Sequence, residues 1–134
     1  MILIINTNGL KNTIVISKNK KTKYEKSWQV VKSSRKDILQ QINKFLHEKK
    51  INLKQIKAII VYRGPGSFTS VRVGICIANS LGFSLNIPVF GVKGNEFNSN
   101  KISVNSIDKI HDKINKIKVL VYSNPVKPFY TTSL

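Results

Sequence analysis

Residues Arg63-Gly64-Pro65-Gly66-Ser67-Phe68-Thr69-Ser70-Val71-Arg72-Val73-Gly74 govern what the surrounding chain can become. The mostly apolar run Lys57 to Tyr62 leads into them, and a helical pattern of small residues follows. A strand that ends in a glycine turn and passes straight into a helix is the local unit of an open α/β sheet, which holds ligands at that edge. Backbone N–H groups of residues 66 to 69, at the start of such a helix, favour an anion. Gly66, Ser67 and Thr69 are the phosphate candidates on that reading. No Lys stands in the Walker A position, so P-loop chemistry is excluded. A purely architectural role gives Pro65 and the two glycines to the turn, Ser67 or Thr69 to the helix cap, and Phe68 to packing below. A loop that touches a partner is the third alternative.

Strand and helix patterns on either side order the rest of the chain. Ile2 to Asn6 is an apolar run closed by Asn8-Gly9, Thr13 to Ser17 reads as a second strand, and Asn19-Lys20-Lys21 as a turn. Tyr24, Lys26, Trp28 and Val30 then share one face of a third strand, which makes the first thirty residues a meander. Ser33 or Ser34 caps a helix that reaches about Lys50, with Ile38, Leu39, Ile42, Phe45 and Leu46 at helical spacing. Ile51 to Ile56 connects it to the strand at 57–62. A second helix runs from Ser67 or Phe68 to Leu81, where Gly82 supplies a left-handed cap. Gly74 costs that helix roughly 1 kcal/mol of propensity, so a close approach is expected there. Residues 86–92 form a further strand. Beyond Gly94 the pattern thins to a helical spacing over Ile107, Ile110, Ile114 and Ile117, a strand at 118–122 and a tail broken by Pro125 and Pro128. The order predicts one α/β domain over residues 1–134, a mixed sheet of three antiparallel strands followed by alternating helices and strands.

Composition narrows the function classes. The chain has 134 residues, 41% of them apolar, enough for a packed core. The formal charge is +17, from 23 Lys and Arg against 6 Asp and Glu. A field of that size attracts RNA or an acidic protein. Twenty of the 23 are Lys, and Lys gives no bidentate recognition. Arg63 and Arg72, two of three arginines, both fall in the glycine motif, which suits either an intrachain contact or a planar contact with a partner. Cys76 is the single cysteine, so no disulfide forms within the chain, and its place between Ile75 and Ile77 predicts a buried thiol. The lack of a long apolar run and of a signal peptide predicts a cytoplasmic protein with no membrane contact.

The titratable residues form no catalytic set. His47 and His111 fall in different elements and, with one Cys and scattered acids, make no metal cluster. His47 is expected at the surface. Asp37, Glu48, Asp108 and Asp112 show no paired spacing, and Ser67 has no matched His and Asp. No catalytic residue and no metal ligand is assigned.

Tyr62-Arg63-Gly64-Pro65-Gly66-Ser67-Phe68-Thr69, with Arg72 and Gly74, closely resembles the signature of the bacterial TsaB (YeaZ) family. Ile87-Pro88-Val89-Phe90-Gly91-Val92 resembles that family's next strand, and the likeness runs from Met1 to about Val92. The resemblance implies an actin-like or RNase H-like fold without catalytic activity of its own. It implies a subunit that binds the related catalytic subunit TsaD. With the ATPase TsaE, that subunit transfers a threonylcarbamoyl group to adenosine 37 of tRNA. No cofactor is implied for this chain alone, while ATP and magnesium are implied for the complex. The helices at 34–49 and 68–81 are implied as the interface, with Ile38, Ile42, Phe45, Val71, Ile75 and Ala78 along them. A lysine-rich RNA-binding module, or a homodimer without a catalytic partner, is the alternative.

Several positions depart from the family. Asn6-Thr7 stands where the family has Asp-Thr, which removes the carboxylate that an actin-like ATPase uses near a metal-bound phosphate. Ser70 replaces a Gly, and Ser34-Arg35 replaces a His-Ser pair. Residues 95–134 are expected to be a degenerate portion in place of a second lobe.

Overall fold

The computed structural model describes residues 1–7, 11–19, 21–30, 37–66, 68–93, 97–98 and 101–102. Two runs are apolar at nearly every position, and chains buried on both faces become central strands. They do so here. β1 (Ile2–Thr7) and β4 (Ala58–Tyr62) are buried at every residue and lie side by side, parallel, with Ile4 opposite Ile60. β2 (Lys11–Lys18) and β3 (Lys21–Gln29) extend the sheet from β1 as an antiparallel meander, and β5 (Val89–Val92) adds to β4 in parallel. The order is β3-β2-β1-β4-β5. This is the expected mixed sheet. β3 begins earlier than the aromatic pattern suggested and ends at Gln29, leaving Val30 exposed.

Period-two alternation sorts the sheet into two apolar faces. Leu3, Ile5, Ile14, Ile16, Ile59 and Val61 share a core cluster with residues of both helices. Ile2, Ile4, Ala58, Ile60 and Val92 form a second cluster on the opposite face. α1 (Ile38–Glu48) contributes Ile38, Ile42, Phe45 and Leu46 to the first cluster, and α2 (Phe68–Leu85) contributes Val71, Ile75 and Ala78. Each fully buried Ile or Phe side chain contributes about 1.5–3 kcal/mol.

Helix boundaries correct the sequence expectation in three places. Asp37, not Ser33 or Ser34, caps α1, its carboxylate accepting from the backbone N–H of Leu39 at 2.8 Å. Ser33 and Ser34 lie outside the described residues. α2 does not stop at Leu81 but runs on to Leu85, with Gly82 buried inside it. Asn86 takes the left-handed position, at φ 54°, that was expected of Gly82. The Ile87 N–H donates to the Gly82 carbonyl at 3.0 Å and the Asn86 N–H to that of Phe83 at 3.3 Å, which is the Schellman pattern. α1 ends the same way, with Lys50 at φ 56° and the Ile51 N–H on the Leu46 carbonyl at 2.9 Å. The connector at 51–56 holds a 3-10 turn, Leu53–Gln55, closed by a capping box between Asn52 and Gln55.

In the Asn- and Ser-rich segment β6 (Phe97–Asn98) and β7 (Lys101–Ile102) form a small antiparallel ribbon that no pattern announced. The helix expected at 107–117, the strand at 118–122 and the proline-broken tail lie outside the described residues, as do Asn8 and Gly9.

Left-handed backbone costs a non-glycine residue about 1–2 kcal/mol, less for Asn. Lys50→Gly should therefore raise unfolding stability by roughly 1 kcal/mol, and Asn86→Gly by less. Urea titration of both variants measures the difference, and a larger gain at Asn86 would contradict it.

Candidate functional site at the strand-to-helix corner

β4 delivers the chain to the glycine motif at the edge where β1 also ends. The Arg63 backbone N–H donates to the Val92 carbonyl at 2.9 Å, which keeps the corner attached to β5. Gly64 is buried with φ 109°, a conformation that L side chains rarely adopt. The Tyr62 hydroxyl donates to the Pro65 carbonyl. Burial pushes the Tyr62 phenol above its ordinary value, so it remains a donor. Pro65 and Gly66 are exposed, and α2 begins two residues later.

The helix then docks on β1. The Thr7 hydroxyl donates to the Ser70 carbonyl at 2.7 Å. One turn on, a Cβ at Gly74 would lie 2.2 Å from Thr7 Oγ1 and 3.2 Å from its Cβ and Cγ2. The glycine is there because the strand end passes too close for any side chain. The close approach expected at Gly74 is real, and its other half is Thr7. Asn12 lies opposite Thr7 on β2, and Asn6 opposite Thr13. Asn6 and Asn12 are 3% and 7% exposed, and their Oδ1 atoms have no hydrogen-bond partner among the described residues. Alternation puts Asn6 on the face of Ile2 and Ile4, away from the helices, whereas Thr7 faces α2.

This corner does not fit a magnesium-bound phosphate. A neutral amide stands at the end of β1 where that chemistry needs a carboxylate, and no cluster of three His, Cys, Asp or Glu occurs among the described residues. Of the phosphate candidates, Gly66 and Thr69 are exposed near the start of α2, and Ser67 lies outside the described residues. The side chain of Phe68 lies outside them too.

The six apolar residues expected along the helical interface are placed in the chain's own core. Ile38, Ile42 and Phe45 of α1 are 9%, 0% and 1% exposed, and Val71, Ile75 and Ala78 of α2 are 4%, 4% and 0% exposed. They hold the helices to the sheet, so any surface that the helices offer is carried by other residues. On α2 that surface is Thr69, Arg72, Val73, Cys76, Ser80, Phe83 and Ser84, all exposed and mostly three or four positions apart. Cys76 was expected to be buried and is exposed instead, because it falls one position past the inward stripe of Val71, Ile75 and Ala78. Arg72 is exposed, Arg63 half-buried, and both make interactions within the chain. His47 is exposed, as its position on α1 predicts.

The fold and corner have close counterparts. Residues 28–110 match the family described as TsaD: tRNA N6-adenosine threonylcarbamoyltransferase. The tRNA threonylcarbamoyladenosine biosynthesis protein TsaB of Buchnera aphidicola subsp. Schizaphis graminum is 39% identical over 92 residues, 69% of this chain and 43% of that protein. The tRNA N6-adenosine threonylcarbamoyltransferase of Syntrophus aciditrophicus is 40% identical over 47 residues, 35% of this chain and 14% of that protein. The solved structure of YeaZ from Pseudomonas aeruginosa superposes with a TM-score of 0.62 at 25% identity, over 69% of this chain and 43% of that one. The chain thus spans less than half the length of these relatives. With the glycine corner, the β3-β2-β1-β4-β5 order and these likenesses together, the chain belongs to the TsaB (YeaZ) family and has its RNase H-like, actin-like fold.

Proposed function

We propose that this chain acts in the synthesis of N6-threonylcarbamoyladenosine in tRNA, as a non-catalytic subunit that docks on a TsaD-type catalytic homologue. The observation that carries this reading is the outer face of α2. In a chain of net charge +17, the 18 residues of that helix include one charged side chain, Arg72. Its outward face leaves Phe83 72% exposed and Val73 41% exposed, beside the exposed Cys76. A solvated face is normally charged, and a helix that is weakly polar all round is normally covered. On α1, Leu39 is 40% exposed, a further apolar side chain open to a partner. Arg72 supplies a planar donor on the same face, suited to a carboxylate of the partner.

The neutral Asn6 agrees with a subunit that carries no chemistry itself. ATP and magnesium then belong to the catalytic homologue and a TsaE-type ATPase, and the site of action is the cytoplasm. Among the described residues no helix is long and apolar enough to cross a membrane.

Phe83→Asp should weaken binding to the catalytic homologue by about tenfold to a hundredfold, the contribution of one phenylalanine buried at an interface. Arg72→Lys should keep the fold and weaken binding less. Calorimetry with the catalytic homologue and nucleoside mass spectrometry of the modified tRNA read both effects. Undiminished affinity in Phe83→Asp, or modification that proceeds without this chain, would remove the proposal. If light scattering finds only a homodimer that Phe83→Asp dissociates, the same face serves a second copy instead.

A further inference from the structure

Lysines gather at the end of the sheet opposite the glycine corner. β1 begins there, β2 ends, β3 and β4 begin, and α1 terminates. The Met1 α-amino group donates to the Gln55 carbonyl at 3.1 Å, and the Lys57 N–H donates to the Met1 carbonyl at 2.9 Å, which brings the 3-10 turn and the start of β4 against the chain's first residue. Lys18 and Lys21 face each other directly across the β2–β3 hairpin. Lys18, Lys21, Lys49, Lys50, Lys54 and Lys57 are all exposed. Glu48 is the acidic residue next to them in the chain, and among the described residues none of these lysines makes an ion pair.

Such a grouping is unfavourable for folding. Like charges directly opposite each other in a hairpin destabilise it. Burial, and then the charges of Lys57 and Lys18, hold the Met1 α-amino group below its ordinary value, so the mutual repulsion at this end is felt within the chain. The macrodipole of α1 offsets part of the charge of Lys49 and Lys50, but it does not reach the hairpin.

We propose that this lysine end binds the phosphate backbone of a folded, helical RNA. Three features select that ligand. A polyanion relieves the repulsion that the fold itself leaves in place. The cations are Lys without Arg, which neutralises phosphates and does not read base edges in bidentate fashion. The aromatic ring beside them, Tyr24, is already covered by the Lys49 ammonium at 5.1 Å from its centroid. With one face taken by that ammonium and the ring packed against the core cluster, Tyr24 is a poor platform for stacking an unpaired base, which a single-strand binder requires. The choice of RNA over other polyanions rests on the tRNA-modification reading above. The placement of the charge does not.

The test uses the whole chain and an unmodified tRNA transcript, with binding followed by fluorescence anisotropy as salt is varied. In Lys18→Gln/Lys21→Gln/Lys50→Gln/Lys57→Gln, the slope of log affinity against log salt should become shallower by about 3, at roughly 0.7–0.9 for each phosphate no longer neutralised. Affinity near 0.1 M salt should drop at least tenfold. Lys11→Gln/Lys26→Gln/Lys44→Gln/Lys93→Gln removes the same charge elsewhere and should weaken binding much less. Thermal melts should show that the first variant is as stable as the parent or more so. Equal weakening in the two variants, tighter binding to a single-stranded RNA of the same length, or equal binding to polyglutamate would each overturn the assignment. Binding of the catalytic homologue should be unchanged in the first variant, so failure here is distinct from failure of the α2 interface.

Discussion

The packing of Thr7 against α2 is the constraint from which the rest of the arrangement follows. A neutral hydrogen bond from the Thr7 hydroxyl to the Ser70 carbonyl contributes only about 1 kcal/mol. Its steric counterpart is more demanding, because the same hydroxyl fills the space where a side chain at position 74 would sit. Helix and strand end can meet only in the rotation that turns Gly74 toward β1. That rotation carries Val71, Ile75 and Ala78 inward with it, since they fall within a turn of Gly74 on the same side. The turn before the helix has to deliver it at that angle, and Gly64 at φ 109° with the Tyr62 hydroxyl on Pro65 does so. The glycine motif and the helical glycine are therefore two parts of one device for setting a helix.

Much of this is legible in the residues, and where it is not the reason is physical. The mixed sheet is recoverable, but not its order: the apolar runs of β1 and β4 mark strands covered on both faces without saying that the two lie side by side. Gly74 announces a close approach through its propensity cost but not the identity of its neighbour, since Thr7 is 63 residues away from Ser70 along the chain. The end of α2 falls later than the sequence suggests because glycine is the usual left-handed cap. Asn is the next residue able to take that conformation, and here the inward packing of Gly82 decides for Asn86. The neighbours of Cys76 in sequence point to burial, whereas a helix assigns burial by rotation. Asn12 carries no signal at all, because whether a buried amide oxygen finds a partner among the described residues depends only on what lies around it.

The rotation that fixes the inward stripe also decides what the helix shows outside. With Val71, Ile75 and Ala78 turned to the sheet, α2 turns Val73, Cys76 and Phe83 to the surface and keeps its single charge, Arg72, at the end near the corner. An 18-residue helix is roughly 27 Å long, so this face runs most of the way between the two ends of the sheet. The exposed lysines cluster beyond it, at the strand ends where β1 starts. Neutral helix face and charged sheet end are different surfaces, so the proposed protein partner and the proposed polyanion would not compete for the same side chains.

Asn6 shows why the corner is better suited to positioning than to chemistry. A carboxylate at a site 3% exposed needs a counter-charge or several donors, and without them it would be protonated and lose its use toward a metal. The amide removes that demand at the smaller cost of about 1–3 kcal/mol for an unsatisfied carbonyl oxygen. No cation is then required near the end of β1. The neutral strand end and the rigid glycine corner are consistent with each other: both preserve the angle of α2, and neither asks for a bound phosphate to do it.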